Sequence, residues 1–289
     1  MKTALIGYGY WGEKIYDNLL RHVKKEDIII VDIKNSDIKL ETVLNNAKIT
    51  HCFIATPELT HFEIANKCLN NNKNIFVEKP LCLKKNEAKK LIKIAKTKNL
   101  SIHVDYIFLY DQTLIKIKKM IEDGVIGSLQ HIESIRHSVN ITKPGSTVID
   151  DLAIHDIYIG RYFFNKKISS IDKHLLSINS HQKNQANITY YYNEKSLSAS
   201  YSWIQPQANR VLTFIGDLGS IVWDKNIKKI MIFKDQTLIK KANIPVEKSA
   251  LETSITKFLY NDINDSSYQN YVNDVEIIES INTNMIKNL

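Results

Sequence analysis

The chain has 289 residues, 44% of them hydrophobic and 24% charged, with only 9 glycines and 5 prolines. This is the composition of a packed globular protein of about two domains and excludes a disordered or collagen-like chain. The net charge of +8 lies wholly in residues 1–120, which hold 21 basic against 13 acidic residues, and the only arginines are Arg21, Arg136, Arg161 and Arg210. A nucleic-acid surface draws on arginine forks, so the lysine excess points instead to solvated helix faces and an anionic small ligand, with no nucleic-acid partner.

No apolar run reaches the roughly 18 residues of a membrane span, and Met1-Lys2-Thr3-Ala4 enters the first predicted strand without a signal-peptide core. No membrane partner is expected, and the expected location is cytoplasmic. Cys52, Cys68 and Cys82 have neither paired nor metal-ligand spacing, so reduced, buried thiols are expected and no metal.

In chain order, strands are predicted at 3–6, 28–32, 52–54, 74–78 and 101–104, alternating with helices at 11–22, 60–70, 86–98 and 112–123. This is the pattern of a doubly wound parallel sheet. Beyond the Asp123-Gly124 and Ile126-Gly127 turns, alternating strands are predicted at 129–136, 186–192, 196–203, 209–214, 220–224 and 229–233. A helix at 150–163 interrupts them, and helices at 248–260 and 271–286 follow. The expected division is therefore an α/β dinucleotide-binding domain at 1–120 and an α+β domain at 121–289 with a predominantly antiparallel open sheet, serving substrate binding and oligomerisation.

Gly7-Tyr8-Gly9-Tyr10-Trp11-Gly12 is a GxGxxG between a predicted strand and a helix, with Asp32 at the end of the next strand, 20 residues beyond Gly12. That context identifies the Rossmann fingerprint: Gly7 makes the tight turn, Gly9 clears space for a pyrophosphate, and Gly12 lets the helix approach the strand. Asp32, with Ile33 beside it, is expected at the adenosine ribose. It repels a 2′-phosphate and so favours NAD over NADP, although Lys34 tempers that preference. Asp32 as a turn cap, and Tyr10 and Trp11 as helix-packing aromatics, stand as the alternatives to cofactor contact.

From Ile54-Ala55-Thr56-Pro57 with His61, through Val77-Glu78-Lys79-Pro80, to Asp151-Leu152-Ala153-Ile154-His155, the sequence resembles the Gfo/Idh/MocA family of nicotinamide-dependent sugar and polyol oxidoreductases. The resemblance implies a Rossmann domain followed by an open-sheet domain. It implies a cofactor site that includes Thr56, Pro57, His61, Glu78 and Lys79, and a lysine and histidine, matching Lys79 and His155, that flank the reacting carbon. Phe108-Leu109-Tyr110-Asp111 and Ser134-Ile135-Arg136 look most like the branch acting on nucleotide sugars for surface polysaccharides. Asp105 departs from the pattern, standing where a glycine is common.

Oxidising a secondary alcohol requires a base for the hydroxyl proton and a cation that orients the oxygen, roles that suit His155 and Lys79. Asp151, four residues before His155, falls on the same helix face. The alternatives are a structural Glu78–Lys79 pair and a structural histidine. Arg136, with Lys143 after it, is the candidate for a substrate diphosphate, the alternative being an ion pair with Glu133. The expected substrate groups are thus Lys79, Arg136, Asp151 and His155. Asp150 and Asp156 either hold a substrate hydroxyl or face solvent. The competing functions are a non-catalytic NAD-binding regulator and a dehydrogenase of free sugars or polyols such as inositol. A homo-oligomer through the second-domain sheet is also expected.

Overall fold

The computed structural model describes residues 1–34, 36–139, 145–178, 182–235, 237–242, 248–260 and 267–283. Its chain forms two compact units, Met1–Ile107 with Lys248–Glu279, and Phe108–Glu247 with Ser280–Leu289.

In the first unit, strands β1 (Lys2–Ile6), β2 (Ile28–Val31), β3 (Ile49–Ile54), β4 (Asn74–Val77) and β5 (Ile102–Val104) form a parallel sheet in the order β2-β1-β3-β4-β5. Leu5, Phe53, Ile54, Phe76 and Val77 are fully buried, as continuous apolar strands covered on both faces must be. Helices α1 (Tyr10–Leu19), α2 (Leu40–Leu44), α3 (His61–Asn70) and α4 (Lys85–Lys98) connect the strands. In α4, Ala88, Leu91, Ile92 and Ala95 face inward while Lys89, Lys90, Lys93 and Lys96 stay in water, so the lysine cluster is a solvated face.

The second unit opens with α5 (Gln112–Glu122), capped by the Asp111 carboxylate, which accepts the Thr113 N–H at 2.9 Å. Its strands are β6 (Leu129–His137), β7 (Ser170–Leu176), β8 (Gln185–Tyr192), β9 (Lys195–Ser202), β10 (Asn209–Gly216), β11 (Ser220–Asp224), β12 (Lys229–Lys234) and β13 (Thr237–Ala242). Among the described residues these make one sheet in the order β13-β12-β11-β10-β6-β9-β8-β7, antiparallel except for the parallel pair β6–β9. Strands β7 and β13 are additions to the predicted set. β13 is exposed almost throughout, so it carries no alternation to reveal it. Between β6 and β7, a π-helical turn at Ile149–Ala153 runs into α6 (Ile154–Phe164), which contacts β6 and β9.

Helices α7 (Ala250–Leu259) and α8 (Ser267–Thr283) correct the expected contiguous division at residue 120. The first unit ends at Ile107, and Lys248–Glu279 returns to it. The physical reason is the apolar stripe of α7: Leu251, Ile255, Phe258 and Leu259 share one core with Leu5, Leu19, Phe53 and Phe76. The Phe258 ring stands edge-on to Phe53, with centroids 5.2 Å apart. Tyr268 of α8 covers the β5 edge, its hydroxyl accepting the Ile102 N–H at 3.1 Å and donating to the Leu100 carbonyl at 3.2 Å. The sequence also predicts a polar loop at 261–267: its residues 261–266 and the predicted helical residues 284–286 lie outside the described residues, and Ser267 already belongs to α8. Among the described residues no helix is long and apolar enough to cross a membrane.

Candidate active site

The glycine loop joins β1 to α1. Gly7 has φ +92°, donates its N–H to the Val31 carbonyl at 2.8 Å, and would press a Cβ to 2.6 Å from the Ala55 carbonyl oxygen. A Cβ on Gly12 would lie 2.3 Å from the Gly7 oxygen, so both positions require glycine. Gly9, the α1 N-cap, has nothing within 4 Å of where its Cβ would stand, and no side chain caps this helix. An open space over uncapped N–H groups at the positive end of a helix fits a dinucleotide pyrophosphate.

Asp32 follows β2 and serves the loop itself: its carboxylate accepts the Tyr8 N–H and the Lys34 N–H, each at 2.8 Å. The turn-forming role is therefore present, and the same carboxylate stands one residue past the strand end, where a ribose would need it. Ile33 is 98% exposed. Tyr10 and Trp11 do not pack into the core: they stand exposed on the first turn of α1, their rings edge-on at 5.6 Å, with the Lys14 ammonium 4.7 Å from the Tyr10 centroid.

At the β3 and β4 ends, His61 is buried as the first residue of α3. Its Nδ1 lies 2.7 Å from the Pro80 carbonyl oxygen and its Nε2 lies 2.9 Å from that of Thr56. It sits between the Thr56-Pro57 loop and the cis Lys79-Pro80 turn, where the neutral ring donates its one N–H to one of the two carbonyls. Burial pushes its pKa down against the pull of the two carbonyls, which suits a structural role better than a proton carrier. Thr60 Oγ1 fixes the same loop, 2.8 Å from Thr56 Oγ1 and 2.7 Å from the Pro57 carbonyl. Glu78 is buried, and Lys79 emerges half-buried at the carboxyl edge of the parallel sheet, where ligands of such folds bind.

Beside that edge lies a buried relay. Asp105 directly follows β5, its N–H donating to the Val77 carbonyl at 2.9 Å. Ser254 of α7 donates its hydroxyl to Asp105 at 2.6 Å, and His103 Nε2 lies 2.9 Å from the same hydroxyl oxygen. Burial pushes the Asp105 carboxyl up to about 7, against the Ser254 bond and the Lys79 charge that pull it down. Burial likewise pushes His103 down to about 3. The neutral His103 therefore donates through Nε2 to Ser254, which in turn donates to Asp105. The substitution at Asp105 is legible in the sequence, but its partner Ser254 is 149 residues away.

In the second unit, Thr147 and Asp150 form a reciprocal cap. The Asp150 carboxylate accepts the Thr147 N–H at 2.8 Å, and Thr147 Oγ1 accepts the Asp150 N–H at 3.3 Å. Asp150 also accepts the Asn282 amide at 2.7 Å, so it anchors the helix start. Asp151 sits within the π turn, a device that recurs at functional sites, and accepts the indole N–H of the buried Trp203 at 3.1 Å. His155 opens the α-helical part, with Nδ1 hydrogen-bonded to the buried Tyr158 hydroxyl at 2.8 Å and its ring edge-on to Phe108 at 5.0 Å. The Tyr158 contact fixes the orientation of the imidazole through Nδ1. Sequence patterning missed both Trp203 and Tyr158. Tyr158 had a signal, since it lies three residues beyond His155 on the same helix face.

Arg136 requires a correction. Its side chain is 5% exposed and is held by Asp156, which is fully buried: Nε lies 3.0 Å from both carboxylate oxygens, and Nη2 lies 2.7 Å from Oδ1. Ser134 donates to the same carboxylate at 2.8 Å. Burial alone lowers the guanidinium pKa, but the Asp156 charge and hydrogen bonds prevail and raise it. Glu133 is exposed on the opposite face of β6, because neighbouring strand residues point to opposite sides, so it cannot be the partner. Asp156 accordingly neither faces solvent nor is free for a substrate hydroxyl. Lys143 lies outside the described residues.

Comparison with known proteins brings these observations together. Residues 1–106 match the oxidoreductase family with an NAD-binding Rossmann fold, and residues 114–222 match the Gfo/Idh/MocA C-terminal domain. Oxidoreductase P35 of Formosa agariphila is 28% identical over 141 residues, 48% of this chain and 44% of that protein. The NAD(+)-dependent scyllo-inositol 2-dehydrogenase of Bacillus subtilis is 29% identical over 137 residues, 46% of this chain and 40% of that protein. The chain thus spans less than half the length of these two curated relatives. The solved UDP-N-acetylglucosamine 3-dehydrogenase GnnA of Acidithiobacillus ferrooxidans superposes with a TM-score of 0.79 over 96% of both chains at 17% identity, a likeness of fold.

Proposed function

The chain belongs to the Gfo/Idh/MocA oxidoreductase family, and from that premise we propose that it is a cytoplasmic enzyme moving a hydride between NAD(H) and a carbinol or carbonyl carbon of a sugar. The observation that carries this reading is Lys79 at the carboxyl edge of the Rossmann sheet, on a turn beside His61, in the unit whose Gly9 loop is open for a pyrophosphate. The bound nicotinamide supplies the hydride acceptor or donor. Gly9 and the start of α1 hold the diphosphate, and Asp32 accepts ribose hydroxyls while repelling a 2′-phosphate. Lys79 donates a hydrogen bond to the substrate oxygen. His155, held through Nδ1 by Tyr158, takes the hydroxyl proton at Nε2, and Asp151, anchored by Trp203, supports its charged form.

The finer reading is a nucleotide-linked sugar in surface-polysaccharide biosynthesis. A free sugar or polyol is favoured as the second reading by one observation: Arg136 is already neutralised by Asp156. A purely regulatory NAD-binding role has no use for Lys79, Asp151 and His155 together. We further propose a homo-oligomer through the sheet face that carries Glu133, Ile135, Thr189, Ser198 and Ser200, where a shallow depression of about 580 Å³ opens. The test is a turnover screen with NAD and NADP against nucleotide sugars, free sugars and inositols. NAD-linked turnover of a sugar supports the reading, and its absence across the screen refutes it.

A further inference from the structure

On the helix-covered side of the second sheet, three cations stand in one row across neighbouring strands. Arg136 of β6 is directly opposite Arg210 of β10, and Lys225, just past β11, donates its N–H to the Arg210 carbonyl at 3.0 Å. Like charges directly opposite on a sheet repel, so the row needs counter-charge. Asp156 neutralises Arg136, and Asp111 lies 3.8 Å from the Lys225 ammonium. Arg210 has no carboxylate within ion-pair distance among the described residues. It donates to the carbonyls of His137 and Asn209 and, at 2.6 Å, to Ser138 Oγ, while Asp151 and Asp156 act on it from farther away. Three contacts leave two of its five N–H groups for a ligand.

Around this charge the walls are aromatic. The Lys225 ammonium lies 4.6 Å from the Phe108 centroid and 4.9 Å from that of Trp223, and the Arg136 guanidinium lies 4.8 Å from Phe108. Burial and the neighbouring cations push the pKa values of both Arg210 and Lys225 down, against the pull of Asp111 on Lys225 and of Asp151 and Asp156 on Arg210. The Lys225 side chain is still 40% exposed, so the row opens to solvent at Lys225. Phe108 also touches His155, which joins the row to the candidate proton-transfer group.

We propose that Arg210 and Lys225 form an anion-binding subsite for the substrate, receiving the oxygens of a phosphate or a carboxylate at the solvent-open end of the row. The proposal rests on the sugar-oxidoreductase reading for its choice of ligand, and it replaces Arg136 by Arg210 as the arginine that meets the substrate.

Binding of matched probes, measured by calorimetry on the full chain with NADH present, tests it: UDP against uridine, glucose 1-phosphate against glucose, and glucuronate against glucose. At least one charged member should bind about tenfold or more tighter than its neutral counterpart, the scale of a charge-assisted fork. That ratio should fall to within about twofold of one in Arg210→Ala and in Lys225→Met, and Arg210→Lys should recover part of it, with thermal unfolding run on each variant as a control of the fold. The phosphate pairs and the carboxylate pair identify which anion the site takes. Ratios near one in the unaltered protein, or ratios unchanged in both Lys225→Met and a folded Arg210 variant, overturn the subsite. Those results leave sugar turnover itself untouched, whereas a failed turnover screen with intact charge ratios removes the enzymatic reading and keeps the anion site.

Discussion

Asp156 takes two N–H groups of Arg136, Nε at 3.0 Å and Nη2 at 2.7 Å, with the carboxylate fully buried and the guanidinium nearly so. The pair ties α6 to β6, and α6 begins at the π turn and His155. Breaking such a pair leaves one buried charge without a counter-charge, which costs about 3–5 kcal/mol. Arg136→Ala is therefore expected to lower the urea midpoint sharply and to act through stability. A variant that unfolds at the wild-type urea concentration contradicts this assignment.

Asp105 gives the first unit a pH dependence with a defined sign. Its folded-state pKa, about 7, stands above the ordinary carboxylate value of 3.8, so the folded state holds the proton more tightly than the unfolded state does. Its contribution to stability is fully present below about pH 4 and is lost as pH rises towards and through about 7. Asp105→Asn removes this loss. Urea unfolding across pH 4–8 should find the variant gaining on the wild type as pH rises, and a constant difference across that range contradicts the buried protonated carboxyl.

Asp32 has two tasks that its substitution separates. In the proposed function it repels a 2′-phosphate, and in the structure it holds the N–H groups of Tyr8 in the glycine loop and of Lys34 in its own turn. Asp32→Ala is expected to weaken NADH binding by about tenfold, the scale of one or two lost hydrogen bonds to a charged group, while narrowing the preference over NADPH. Fluorescence titration of both cofactors checks this. Tighter NADPH than NADH binding by the unaltered protein contradicts the assignment of Asp32.

Local pattern made part of this molecule legible. The glycine spacing before an amphipathic helix, the strand end at Asp32 and the Glu78-Lys79-Pro80 turn are all set by neighbours within a few residues, and they lie where the sequence put them. The second sheet was legible wherever one face is buried, as in β6, and illegible in β13, where neither face is. What pattern did not reach are pairings across distance. Arg136 finds Asp156 only because α6 crosses β6, and Phe258 joins the Rossmann core from more than 200 residues beyond Leu5 and Phe53. Helical periodicity announces that α7 has an apolar face and is silent about which sheet receives it. The π turn escapes for a related reason, since its apolar residues read as an ordinary helix.

The central claim is that Lys79 and His155 carry hydride-transfer chemistry, and the most direct measurement is steady-state turnover of Lys79→Ala and His155→Ala on a substrate found in the screen, with NADH affinity measured in parallel. The account predicts that each substitution lowers kcat by about 100-fold or more, the scale of losing an acid/base or orienting group, with NADH affinity nearly intact. Turnover near the wild-type value in either folded variant would contradict it.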